Sequence, residues 1–140
     1  MSHDIRRDTR RVMGGAALVG GVLMLLFWTF YFTGGLNFGQ DDRLLSAFES
    51  AFPVVDGVLA IFLVAAGVFL LTGKPAGTFC LVVAAAMSLY LGILDVTFYA
   101  RQGLLHPLGR EGSIALALSA LCVGGGLLGL RFGWVLWREE

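Results

Sequence analysis

The chain has 140 residues, of which 57% are hydrophobic and only 14% charged, and its ten basic side chains balance its ten acidic ones. Soluble domains are about 45–50% apolar and about 25% charged, so this composition, with a mean hydropathy of +0.81, indicates an integral membrane protein. The absence of net positive charge excludes a basic nucleic-acid-binding surface, and two cysteines are too few for a disulfide scaffold. The length suits a single membrane domain covering residues 1–140.

Four long apolar stretches predict four transmembrane helices. A helix rises 1.5 Å per residue, so about 20 apolar residues cross the roughly 30 Å of hydrocarbon in a bilayer. The stretches cover residues 12–33, 52–72, 76–99 and 113–130. The sequence therefore predicts an all-α fold, a four-helix transmembrane bundle.

The segment between the first two spans predicts a short amphipathic helix over residues 42–51. Leu44 and Phe48 recur at helical spacing, whereas Ser46 and Glu49 take the other face. Such a helix is expected to lie on the membrane surface. The alternative interpretation is an irregular loop packed on the bundle.

The distribution of basic residues predicts the orientation. Seven of the ten lysines and arginines lie on the side of both termini, so the positive-inside rule places both termini in the cytoplasm and the segment 42–51 outside. The first apolar run is too long for the core of a signal peptide and is interpreted as a retained anchor. Arginine supplies nine of the ten basic residues, which favours a GC-rich bacterium and its cytoplasmic (inner) membrane.

Two aspartates inside the predicted spans form the candidate site. A carboxylate within the bilayer is costly and usually faces protein or water. Asp56 lies about four residues inside the second span and Asp95 about four residues before the end of the third, so both lie about 6 Å below the outer surface. Small residues share the face of each acid, which predicts that both point into the bundle, toward each other or toward an outward-opening cavity. These small residues are Ala60 and Gly67 on the second span and Ala84, Ser88 and Gly92 on the third.

A pair of close carboxylates can share one proton or bind a cation. The sequence therefore predicts a binding or transport module for a cation, a proton or a small cationic ligand, with Tyr99, Glu49 and Arg101 at the mouth of the cavity. The alternative is structural: each acid serves to hold the helices in register. Its partners would then be a backbone group, a hydroxyl of Tyr31, Thr33 or Thr97, or the charge of Arg43 or Arg101.

Gly125, Gly129 and Gly133 form a stripe of small residues on the fourth span. Such a stripe lets helices approach closely in lipid. It can join two helices of one chain, two copies of the chain, or the chain and another membrane protein. The last case gives the alternative function, a non-catalytic accessory or scaffolding subunit of a larger membrane complex.

Residue sets for catalysis are not visible in the sequence. Cys80 and Cys122 form no C-x-x-C pair and are interpreted as packing residues. Neither histidine lies inside a predicted span, which excludes a haem held by two helix histidines, and no spacing matches a known metal site. We therefore expect no enzymatic activity, cofactor or metal, and a membrane enzyme acting on a lipid or quinone is the least favoured hypothesis.

Overall fold

A computed structural model of the chain describes residues 3–34, 43–103 and 110–138. Within these ranges the secondary structure consists of five α-helices. They are α1 (His3–Phe32), α2 (Arg43–Glu49), α3 (Phe52–Leu71), α4 (Ala76–Arg101) and α5 (Arg110–Trp137). The four longer helices are each long and apolar enough to cross a membrane, so the prediction of an all-α protein with four candidate spans is confirmed.

Three of the long helices extend beyond their predicted bounds: α4 by two residues, to Arg101, and α1 and α5 by more. Helix α1 begins at His3 rather than at residue 12, and α5 runs from Arg110 to Trp137 rather than from 113 to 130. The predicted bounds mark where charge is absent, but arginine and glutamate are good helix formers. Outside the hydrocarbon their charge costs little, so a helix continues past the edge of the apolar stretch.

The long helices pack in chain order. Helix α1 lies against α3, α3 against α4, and α4 against α5, whereas α1 and α5 touch only marginally. The turn between α3 and α4 is short because Gly73 adopts a φ of 75° and the Lys74 N–H donates to the Phe69 carbonyl at 2.8 Å. This is the glycine-terminated end of a helix in which the backbone reverses within a few residues, and it makes α3 and α4 antiparallel neighbours.

Small residues let the backbones of α1 and α3 approach closely. A Cβ placed on Gly67 would lie 2.9 Å from the Gly14 carbonyl oxygen, and one on Gly21 would lie 3.1 Å from the Ala60 carbonyl oxygen. Real Cβ atoms hardly tolerate such distances, so glycine is required at these crossing points. The contact fixes the register of the first helical hairpin.

The second hairpin, α4 with α5, is packed in the same way. A Cβ on Gly126 would lie 2.8 Å from the Ala85 carbonyl oxygen, and one on Gly92 would lie 2.9 Å from that of Ser119. The α5 residues that meet α4 follow one another at alternating spacings of three and four, which is the geometry of left-handed helix pairs. They are Ser119, Cys122, Gly126, Gly129 and Gly133.

This pattern corrects the predicted glycine stripe in part. Gly129 and Gly133 do pack on α4, but Gly125 is exposed with nothing within 4 Å of an added Cβ, and Gly126 takes its place. Residues four apart on a helix are rotated by about 40° from one another. A strict four-residue stripe therefore turns away from a straight partner, whereas an alternating one stays on it.

The predicted small-residue face of α4 is also divided between two neighbours. Ala84 is fully buried in a cluster with Leu59 of α3 and Leu91 of α4. Ser88, by contrast, donates a hydrogen bond from Oγ to the Cys122 carbonyl of α5 at 2.9 Å. Helix α4 thus uses one face for α3 and another for α5.

Large apolar side chains lie on the outside of this arrangement. Val54 is 75% exposed, Leu121 74% and Val12 68%. A surface of this kind suits hydrocarbon rather than water, so the bundle is built to contact a lipid bilayer, with its small residues turned inward.

Candidate functional site

Asp56 lies one turn into α3 and faces α1. Its Oδ2 accepts a hydrogen bond from the indole Nε1–H of Trp28 at 2.9 Å, and the carboxylate is partly buried. The close approach of Gly21 to Ala60 sets the register that brings these two side chains together. A carboxylate has about four acceptor positions, and a single indole N–H satisfies only one of them.

Asp95 lies on α4 at the level of Asp56. Leu59 of α3 and Leu91 of α4 belong to one buried cluster. Asp56 precedes Leu59 by three residues, and Asp95 follows Leu91 by four. Because α3 and α4 are antiparallel, both steps lead toward the same end of the bundle. At 1.5 Å per residue, each acid lies about 4.5–6 Å beyond the cluster. Both acids therefore occupy one layer near this end.

The two acids belong to neighbouring helices, because α3 packs against α4. Trp28 of α1 donates to Asp56, so α1, α3 and α4 all contribute to the layer that contains the acids. Helix α5 is joined to α4 one helical turn or more deeper in the bundle, where the Ser88 hydroxyl donates to the Cys122 carbonyl at 2.9 Å.

Aromatic rings surround the same end of the bundle. On α1, Trp28 packs edge-on against Tyr31, with ring centroids 5.1 Å apart. On the other side, Phe48 of α2 is stacked on Phe98 of α4, with centroids 3.6 Å apart and an interplanar angle of 4°, and it also meets Phe52 of α3 at 4.8 Å. The contacts of Phe48 with Phe98 and Phe52 hold α2 on the end of α3 and α4.

The other predicted site residues take different positions. Tyr99 is partly buried one turn after Asp95, a spacing that puts both on one face of α4. Arg101 is exposed at the last residue of α4. Glu49 is the last residue of α2, and its side chain lies outside the part of the chain that the structure describes.

Two of the expected structural partners of the acids are otherwise engaged. The Thr97 hydroxyl donates to the Ile93 carbonyl at 2.7 Å, and the Thr33 hydroxyl donates to the Thr29 carbonyl at 2.9 Å. A hydroxyl has one hydrogen to donate. The expectation that these threonines donate to the aspartates is therefore wrong, because each serves the backbone of its own helix.

Trp28 is the residue that sequence reasoning missed. Its indole N–H is the donor to Asp56. A signal for this role is present in the sequence: Gly14, Ala17 and Gly21 follow one another at steps of three and four, and Trp28 comes seven residues, or about two turns, after Gly21 on the same side of α1. A side chain on that line faces α3.

Among the residues at 3–34, 43–103 and 110–138, no three His, Cys, Asp or Glu side chains are grouped to hold a metal ion. Asp56 and Asp95 are both partly buried, and a carboxylate can accept hydrogen bonds or bind a proton. Comparison of the chain with protein-family models, curated proteins and solved structures finds no match.

Proposed function

We propose that this multi-pass membrane protein binds or transports a cation, a proton or a small cationic ligand at Asp56 and Asp95. The observation that carries the proposal is the placement of two carboxylates from adjacent helices in one layer, each three or four residues from the buried cluster of Leu59 and Leu91. Trp28, the donor to Asp56, is included in the site as the residue that orients this carboxylate.

Energetic cost favours this role over a purely structural one. A carboxylate inside a membrane costs up to about 2.5–3.5 kcal/mol on insertion scales, and two neighbouring carboxylates also repel each other. The hydrogen bond from Trp28 to the Asp56 carboxylate contributes about 1–2 kcal/mol, so it offsets only part of the cost of burying that acid. A proton or cation between the acids removes both the repulsion and much of the burial penalty.

The proposed setting is the cytoplasmic membrane of a bacterium, with both termini inside and the acidic layer open to the outside. The support is the positive-inside rule: Arg7, Arg10 and Arg11 lie at the opposite end of α1 from Trp28, on the side of Lys74. Helix α2 then lies at the outer surface.

Cysteine labelling tests this orientation. Ala47 and Lys74 are both exposed, so Ala47→Cys and Lys74→Cys are matched reporters for the two ends. A membrane-impermeant maleimide added to intact cells is expected to label the first variant and not the second, with the parent chain as the control for Cys80 and Cys122. The opposite labelling pattern would place the acidic layer on the cytoplasmic side.

Ligand binding is tested on the purified protein with sodium, magnesium and tetramethylammonium chlorides at constant ionic strength. A ligand present at 100 times its Kd stabilises the folded state by about 2.7 kcal/mol, which is a measurable rise in Tm. Asp56→Asn and Asp95→Asn should each abolish that rise, and Asp8→Asn, an exposed acid on α1, should leave it intact. A proton is tested in proteoliposomes that contain a pH-sensitive dye, where the same two variants should lose proton flux.

The proposal is wrong if the parent protein responds to none of these cations and carries no protons. It is equally wrong if both asparagine variants respond as the parent does.

One observation favours the accessory-subunit function as the second candidate. Gly125 lies on an exposed face of α5 between Leu121 and Leu128, which are 74% and 56% exposed, and space around it is open. A small residue on such a face lets a further helix approach, either from a second copy or from another membrane protein. This function predicts that Gly125→Leu releases a co-purifying chain while the asparagine variants retain it.

A further inference from the structure

A cavity lies at the opposite end of the bundle from the two acids. It has a volume of about 370 Å³ and is bounded by α1 on one side and by residues 70–73, the end of α3 and its turn, on the other. Three arginines line it: Arg7, Arg10 and Arg11. We call it the arginine cavity.

The charge in this cavity is held in place by the fold. Arg10 donates from a guanidinium nitrogen to the Gly73 carbonyl at 3.3 Å, which ties α1 to the turn after α3. Arg7 and Arg11 are exposed, and their four-residue spacing puts both on one face of the helix. Asp8, the nearest acid in the chain, is exposed and is not among the lining residues. The cavity therefore presents a concentrated positive charge.

The chemistry of the lining selects a phosphate. Guanidinium groups are planar, permanently charged donors whose geometry matches the oxygens of a phosphate, often two at a time. Among the residues that the structure describes, the cavity lining includes the three arginines and no carboxylate. The Thr72 hydroxyl and the Gly73 N–H already bond to carbonyls of α3, so the arginines of α1 would supply the contacts to a phosphate group seated here.

The surroundings favour a lipid as the source of this phosphate. Leu71, which lines the cavity, is 47% exposed, and Val12 of α1, next to Arg11, is 68% exposed. These apolar side chains begin the lipid-facing surface directly beside the arginines. A phospholipid can therefore place its phosphate among the arginines and its acyl chains along α1 and α3, whereas free phosphate uses the charged part alone.

We propose that the arginine cavity binds the phosphate of an anionic phospholipid headgroup. Basic pockets between transmembrane helices on the cytoplasmic side recognise such lipids, and the orientation proposed above places the cavity there. The proposal does not involve Asp56 or Asp95, so it stands or falls separately from the cation site.

The test measures lipid binding to the full chain in a neutral detergent by native mass spectrometry and by the shift in Tm. The probes are phosphatidylglycerol, phosphatidylcholine and inorganic phosphate. Phosphatidylglycerol is expected to bind and to raise Tm, and the other two are not. The double variant Arg7→Gln/Arg11→Gln is expected to weaken phosphatidylglycerol binding about 30-fold, since each basic residue near an anionic headgroup contributes about fivefold.

The matched control is Arg131→Gln/Arg138→Gln. Arg131 of α5 and Arg138, the residue after its last turn, are exposed at the same end of the bundle and are not among the residues that line the cavity. Their loss changes net charge equally and should alter affinity less than twofold. Circular dichroism without lipid checks that both double variants remain folded. Equal losses in the two double variants would overturn the proposal in favour of unspecific charge attraction. Equal binding of phosphatidylcholine, or an equal Tm rise with inorganic phosphate, would overturn the assignment to an anionic lipid.

Discussion

The hydrogen bond from Trp28 to Asp56 gives the sharpest prediction. In the Trp28→Phe variant the ring contacts with neighbouring aromatics are largely kept, and the N–H donor at 2.9 Å from Asp56 Oδ2 is lost. Hydrogen bonds to charged groups contribute about 1.5–3 kcal/mol in soluble proteins, whereas interhelical ones in membranes average about 0.6 and reach about 1.7 kcal/mol. Because the acceptor is a carboxylate, we expect a coupling of about 1–2 kcal/mol between the two side chains.

A double-mutant cycle isolates this coupling from the loss of packing. Trp28→Phe, Asp56→Ala and the double variant are unfolded reversibly in mixed micelles with increasing dodecyl sulfate, and helix content is followed by circular dichroism. In the Asp56→Asn background, an amide oxygen still accepts the bond, so the effect of Trp28→Phe should fall to that of a neutral pair, about 0.5–1.5 kcal/mol.

The control is Trp134→Phe, which removes an indole from the far end of α5, where Trp134 is 63% exposed. It should not couple to Asp56→Ala. A coupling below about 0.3 kcal/mol between Trp28 and Asp56, within the usual error of additivity, would refute the reasoning. Asp56 would then hold its position without Trp28.

The remaining predictions concern packing and turns. Gly126→Ala should lower the free energy of unfolding by about 1–3 kcal/mol, because its new Cβ would meet a carbonyl oxygen of α4 at 2.8 Å. Gly125→Ala, with open space around it, should be neutral or stabilising. Equal effects of the two substitutions would contradict the α4–α5 packing. Gly73→Ala should cost about 1–2 kcal/mol and lower Tm, since its φ of 75° is strained for any residue with a Cβ; an unchanged Tm would show that the turn relaxes. Phe48→Ala should speed hydrogen exchange of the α2 amides about tenfold, because the stacking of Phe48 on Phe98 is lost. Leu44→Ala, at a 56% exposed position, should not change the exchange rate. Equal exchange in both variants would mean that α2 is held by other contacts.

The spans could be predicted from the sequence because the bilayer demands long apolar helices, and composition alone reveals them. The ends of α1 and α5 could not, since a charged residue such as Arg11 or Arg131 ends the apolar stretch without ending the helix, arginine being itself a good helix former. Hydropathy indicates where the hydrocarbon ends. It contains no information about where the helical backbone ends.

The candidate site was predictable only as single residues. Asp56 and Asp95 are conspicuous because ionisable groups are rare in apolar stretches, and their depth follows from counting along each helix. The partner of Asp56 depends on how α1 slides along α3, which is decided by the crossing of Gly21 and Ala60. The position of Gly125 could not be predicted for the same reason. A glycine allows another helix to approach closely, but the rotation of its own helix in the bundle decides which neighbour, if any, contacts it.

The sequential pairing of the long helices has a consequence for biogenesis. Each major contact joins helices that follow one another in the chain, so contact order is low and the molecule can assemble hairpin by hairpin as it leaves the ribosome. The bond between Trp28 and Asp56 belongs to the first hairpin. That acid can therefore leave the insertion machinery already joined to its donor, before the later half of the chain has been synthesised.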